Sequence, residues 1–138
     1  MSSEREAYDE LSFYTLAHRD PSFIHQHIVD TFAAQNANEQ TKPIGLTFSL
    51  VGLYLHVEEG FSGKKVQTAH MKLAKRGGPW PAFSLPSDRG SIRAVDVLAA
   101  PPGAERDRAI DAWCAAVWQA FRVNRSAVLE FLKQRGIV

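Results

Sequence analysis

Five histidines could serve as bases, acids or metal ligands: His18, His25, His27, His56 and His70. Placed on helices at about 100° per residue, His25 and His70 fall within the apolar arcs of two different helices, and His18 within that of a third. His56 lies on a stripe of mostly small residues with Gly45, Ser49 and Gly52. Only His27 points to the polar side of its helix, where Asp30 at i+3 offers a hydrogen bond. Helical bundles build metal sites from inward-facing side chains on facing helices, and neutral imidazole is the commonest ligand. The candidate ligands are therefore His25 and His70, with His56 or His18 as a third, for a divalent metal such as zinc, nickel or iron. As acid–base candidates, His25 and His70 stand with the carboxylates of Asp30 and Glu58, which would orient them. Gln26, Gln35, Tyr54 and Trp80 are the candidate pocket or lid residues. His25 and Asp30 are about 140° apart on one helix, so they need not share a site.

Each of these residues also has an ordinary structural reading. There is no His-Glu-x-x-His, Glu-x-x-His or Cys-x-x-Cys pattern, and an inward histidine is satisfied by a backbone carbonyl or a hydroxyl. Gly60-Phe61-Ser62-Gly63-Lys64-Lys65 lacks the spacing of a phosphate-binding loop and reads as a helix start with solvated lysines. Cys114, the single cysteine, sits on an apolar stripe and reads as a small core residue. It excludes a disulfide framework within one chain.

The elements that must position these residues are helices. The chain has 138 residues, 45% hydrophobic and 22% charged, the composition of one globular domain spanning 1–138. With 16 Lys and Arg against 15 Asp and Glu, it lacks the broad basic field of a nucleic-acid binder. The cations read as scattered among acids on a solvated surface. Ser3-Glu4-Arg5-Glu6 fits a capping box and opens a first helix carrying Ala7, Leu11, Tyr14 and Thr15. Asp20-Pro21 reads as the cap and first position of a second helix running to about Gln35, with Ile24, Ile28, Val29 and Phe32 inward. Lys42-Pro43 starts a central third helix, and a fourth runs from about Lys64 to Arg76. The stretch 77–103 holds five of the seven prolines and reads as one long irregular loop. Within it, Ile92 to Leu98 suits a short strand or turn. Trp80 there reads as an anchor tying the loop down, the alternative being closure over a pocket. Two further helices, about Ala104 to Arg122 and Arg125 to Gln134, complete an all-α bundle of five or six helices. The most apolar stretch, Ile44 to Val57, is shorter than the roughly 20 residues of a membrane span, and no apolar run follows the charged N-terminus. The expectations are a cytoplasmic protein, no membrane and no nucleic acid.

At His25-Gln26-x-x-Val29-Asp30-x-Phe32-x-Ala34-Gln35 the chain resembles a bacterial family of small all-helical proteins classed as a domain of unknown function. The resemblance continues through Lys42-Pro43-Ile44, Phe48 to Glu58, Val66-Gln67-x-x-His70, Trp80-Pro81, Asp96-Val97-Leu98 and the Trp113 to Trp118 helix. It implies no activity, substrate or cofactor; it marks His25, Gln26, Asp30, Gln35, Glu58 and His70 as positions of interest. Phe32 stands where the family usually has Tyr. A looser likeness is to DinB-like metal-binding bundles, whose His-x-x-x-His pair is missing here. Two functions follow as expectations. The first is a binding or assembly module without catalysis, in which the small-residue stripe and the loop aromatics serve a homodimer. The alternative is a metal-dependent enzyme, a hydrolase or thiol transferase, with a His-containing pocket for a small molecule between the second, third and fourth helices.

Overall fold

The computed structural model describes residues 3–18 and 20–138. The described residues form seven α-helices and no strand: α1 (Glu4–Ala17), α2 (His25–Gln35), α3 (Pro43–Val57), α4 (Gly63–Arg76), α5 (Ala94–Ala99), α6 (Ala104–Ala120) and α7 (Arg125–Gln134). A 3-10 turn, Arg122–Asn124, joins α6 to α7. The all-helical expectation holds, with seven helices in place of five or six.

Local sequence explains several helix ends. The Ser3 hydroxyl accepts the Glu6 N–H and the Glu6 carboxylate accepts the Ser3 N–H, each at 3.0 Å, which is a complete capping box. Pro43 occupies the first turn of α3, where its missing N–H has no intrahelical role. The Ser62 hydroxyl caps α4 through the Lys65 N–H.

Two ends differ from the sequence reading. Asp20-Pro21 does not begin α2; the Asp20 carboxylate instead accepts from the Ser22 N–H, the Ser22 hydroxyl and the Ile24 N–H, closing a tight turn. Phe23 leaves that turn with φ of +61° and α2 starts at His25. The start of α4 lies directly on this turn: a Cβ at Gly63 would come within 1.7 Å of the Phe23 carbonyl oxygen, so only glycine fits. Second, Ile92 to Leu98 holds no strand and enters the short helix α5 at Ala94. Asp96 accepts the Arg93 N–H, and Glu4 of α1 accepts the N–H groups of Ala94 and Val95 at 2.9 Å.

The centre of the fold is α3, packed by α2, α4, α6 and α7; α1 packs on α2 and α5. Trp113, Cys114 and Val117 of α6, with Phe121 just after it, are buried in the core, so the apolar stripe that carries Cys114 is core. Part of the stripe of small residues, Ser49 and Gly52, is buried inside the chain. A Cβ at Gly52 would sit 1.8 Å from the Asp30 carboxylate, so α2 and α3 meet there, whereas Gly45 on the same stripe is exposed. Loop residues Trp80 and Phe83 also pack against the core.

The inward face of α2 is broader and more polar than Ile24, Ile28, Val29 and Phe32. Ile28 is buried, but so are His27, Asp30, Thr31, Ala34 and Gln35. The reason is coverage from several sides: α1, α3, α4 and α6 all pack on α2, so its polar side is enclosed too.

Candidate functional site

Gln26 and Asp30 lie one turn apart on α2 and meet His70 of α4. The Gln26 amide donates to Asp30 Oδ1 at 3.2 Å and lies 3.5 Å from His70 Nδ1. His70 Nε2 donates to the Phe48 carbonyl at 2.9 Å, which assigns the ring proton to Nε2 and leaves Nδ1 facing the Gln26 amide. The ring stacks on Phe48. Asp30 is 4% exposed, and its Oδ2 has no hydrogen-bond partner. That oxygen lies 3.9 Å from His70 Nε2, beyond hydrogen-bond length. Burial pushes the Asp30 carboxyl well above the usual carboxylate range, opposed only by the Gln26 hydrogen bond. Burial also lowers the His70 imidazole, against the Phe48 hydrogen bond. Both groups therefore favour neutral forms, and this is a carboxylic acid beside an imidazole rather than an ion pair. With Nε2 donating and Nδ1 facing an amide donor, His70 has no unoccupied lone pair.

His25 turns away from this cluster. Its Nδ1 lies 2.9 Å from the Thr15 hydroxyl on α1, and that hydroxyl donates to the Ser12 carbonyl, so Nδ1 carries the proton. Burial lowers its pKa. His18 Nδ1 meets the Tyr14 carbonyl at the end of α1. His56 bridges the Phe61 carbonyl through Nδ1 and Asp111 through Nε2. His27, expected on the polar side, is 5% exposed and stacks on His56 with ring centroids 3.5 Å apart. Its Nδ1 has no partner, and burial first, then the neighbouring His56, lowers its pKa to about 3. Among the described residues no three His, Cys, Asp or Glu side chains come together as a metal site would require.

The remaining candidates hold elements together. Glu58, at the end of α3, accepts from Trp118 Nε1 of α6 at 2.7 Å and from the Arg125 guanidinium of α7. The Arg125 hydrogen bond, ahead of that from Trp118, holds its carboxyl below the usual range. Gln35 accepts from Trp113 Nε1 and donates to the carbonyls of Arg89 and Ile92. Tyr54 donates to Glu59, and burial with that neighbour pushes its phenol up to about 12. Trp80 packs edge-on against Phe48 and beside Phe131, under the Arg135 guanidinium. Among the described residues, surface cavities of about 230 to 730 Å³ include one lined by His18 and one by Trp80, and none of these is lined by His25, Asp30, Glu58 or His70.

A sequence model described as a family of unknown function (DUF5946) matches residues 5–122. The chain belongs to this family. No curated protein and no solved structure matches it. The DUF5946 match takes in the Gln26, Asp30 and His70 cluster together with Gln35 and Glu58, and stops before α7. Within the DUF5946 region the sequence reading missed Arg89. Its guanidinium donates to the carbonyls of Ala34, Gln35 and Ala37 while Gln35 returns a bond to the Arg89 carbonyl. It also missed Thr31, whose hydroxyl donates to the His27 carbonyl and lies 3.1 Å from Cys114 Sγ. Neither has a local signal, because each partner is distant in sequence or hidden by the wrong choice of face.

Proposed function

We propose that the chain is a helical binding or assembly module that performs no catalysis. The observation that carries this reading is the state of the candidate side chains. The hydrogen-bonding atoms of Gln35, Glu58 and His70 that a catalyst would present to substrate are engaged with main-chain carbonyls, indole N–H groups or a guanidinium. Such groups position helices. A substrate screen for hydrolase and thiol-transferase activity, with divalent metals added, is expected to give no turnover. His70→Gln and Gln35→Ala are expected to lower thermal stability. Turnover that vanishes in a normally stable His70→Gln protein overturns the reading.

A metal-dependent enzyme is the second reading, and it rests on Asp30 Oδ2, a buried oxygen without a partner facing His70. For that role Asp30 must ionise and His70 must release the Phe48 carbonyl. Elemental analysis of untagged protein separates the two. Stoichiometric zinc, nickel or iron that is lost in His70→Ala favours the enzyme; its absence, with no thermal shift on adding divalent ions, favours the module.

A further inference from the structure

The cations of this chain are not evenly spread. Helix α4 carries Lys64, Lys65, Lys72, Lys75 and Arg76 and no Asp or Glu. At about 100° per residue all five fall within an arc of about 120° that adjoins the buried face of Val66, Ala69 and Leu73. All five are exposed, and among the described residues none forms a salt bridge. Lys64 and Lys65 stand in the first turn, at the positive end of the helix dipole, where a cation weakens the helix. Their placement is therefore not explained by helix stability.

Between these cations the surface is recessed and mostly apolar. Phe61, Thr68, Ala69 and Ile137 line a cavity of about 230 Å³ together with Lys72 and Lys65, whose ammonium lies 4.6 Å from the Phe61 ring centroid. A neighbouring cavity of about 440 Å³ shares Lys72 and Ile137 and is bordered by Lys75, Arg76 and Arg135. The Arg135 guanidinium donates to the carbonyls of Gly77 and Pro79, so it adds positive charge while its donors are engaged. Along the helix the cations run from Lys64 to Arg76, about 18 Å at 1.5 Å per residue, which is the length of three turns of a second helix.

We propose that this groove docks an acidic amphipathic helix of a partner protein, whose apolar side chains enter the Phe61–Ala69–Ile137 floor and whose carboxylates meet Lys65, Lys72, Lys75 and Arg76. The proposal deepens the reading of the chain as a binding module and rests on it. An apolar floor between cations matches a helix with one apolar and one acidic face. A nucleic-acid backbone has nothing apolar to place there, and α4 offers four lysines to one arginine, poor in the planar forks that grip phosphates. A bilayer surface is too flat to reach a recessed floor.

The test is fluorescence anisotropy on the full chain with four probes. These are a labelled 14-residue helical peptide with Leu on one face and Glu on the other, the same peptide with Leu→Ser, a thymidine oligonucleotide, and vesicles containing phosphatidylserine. The Leu/Glu peptide is expected to bind best, with affinity that falls as salt rises. Lys72→Glu with Lys75→Glu is expected to weaken it about tenfold, and Ile137→Ser to weaken it while leaving the response to salt unchanged. Thermal melts check that each variant is folded. Equal binding to the reversed-charge variant, equal binding of the Leu→Ser peptide, stronger binding of oligonucleotide or vesicles, or no binding at all each overturns the docking proposal. None of those outcomes touches the non-catalytic reading, which is tested separately by the substrate screen and the elemental analysis.

Discussion

The contact between Gly52 and Asp30 gives a sharp test of how α2 sits on α3. Gly52→Ala adds one methyl group, and in a free helix that change is stabilising by about 1 kcal/mol. Here the new Cβ would lie 1.8 Å from Asp30 Oδ2, 2.5 Å from Cγ and 3.2 Å from Cβ. The carboxyl is at the end of a short side chain, is buried, and is held through Oδ1 by Gln26, so it cannot swing into water. Overpacking in a core costs about 1–3 kcal/mol, and an overlap this deep belongs at or above the upper end. The expected net loss is about 2 kcal/mol. In Gly52→Ala with Asp30→Ala the overlapping atoms are gone, while the remaining Asp30 Cβ position, 3.2 Å away, needs only a small adjustment. The double variant should therefore be more stable than the sum of the single changes by up to about 3 kcal/mol, the upper range for directly touching residues. Urea denaturation of the four proteins, with the m-value checked for constancy, measures this coupling. A Gly52→Ala protein as stable as the parent, or strictly additive losses, refutes the packing argument.

Acidity should act on two buried groups with opposite sign. His27, at about 3 in the fold against an ordinary 6.5, takes up a proton when unfolded but not when folded. Stability is thus lost as pH falls from 6.5 toward 3, and His27→Gln should flatten urea midpoints between pH 7 and pH 4.5. Asp30 is held protonated by burial, so its effect runs the other way: stability declines as pH rises from the unfolded value near 3.8. Asp30→Asn should raise Tm more at pH 7 than at pH 4. Glu58→Ala leaves the buried Trp118 indole without an acceptor, at an expected cost of about 1–3 kcal/mol, with Glu58→Gln losing less; melting followed by tryptophan fluorescence reads both. Gln35→Leu strips partners from Trp113 and from the Ile92 carbonyl, and hydrogen exchange over residues 88–99 should quicken well beyond that of α6.

Helices bounded by neighbours in sequence were legible from the residues alone. Ser3 with Glu6, and Pro43, announce their helix ends because cap and helix lie within one turn. The start of α2 was not legible, since Asp20-Pro21 is chemically a good cap and only the approach of Gly63 reveals that this segment must turn. The inward face of α2 failed for a related reason. A periodicity argument assigns one apolar side, whereas four packed neighbours enclose His27, Asp30, Thr31 and Gln35 as well. Of the candidate site residues, Gln26, Asp30 and His70 do converge, while His25, Gln35 and Glu58 bond elsewhere. Their residue types drew attention, but side-chain direction between helices is a tertiary property. The α4 cations were visible as letters; what concealed them was the even charge balance of the whole chain.

The bond from Glu4 to the start of α5 bears on the order in which the chain can fold. Its two carboxylate oxygens hold the N–H groups of Ala94 and Val95, 90 and 91 residues downstream. Six residues are too few for a helix to persist in isolation, so α5 waits for α1, and closing so long a loop is an entropic penalty met before any contact repays it. During synthesis α1 must remain without this partner until the residues through Val95 have been made. The capping of α5 by α1 is thus a contact that only the assembled fold can make.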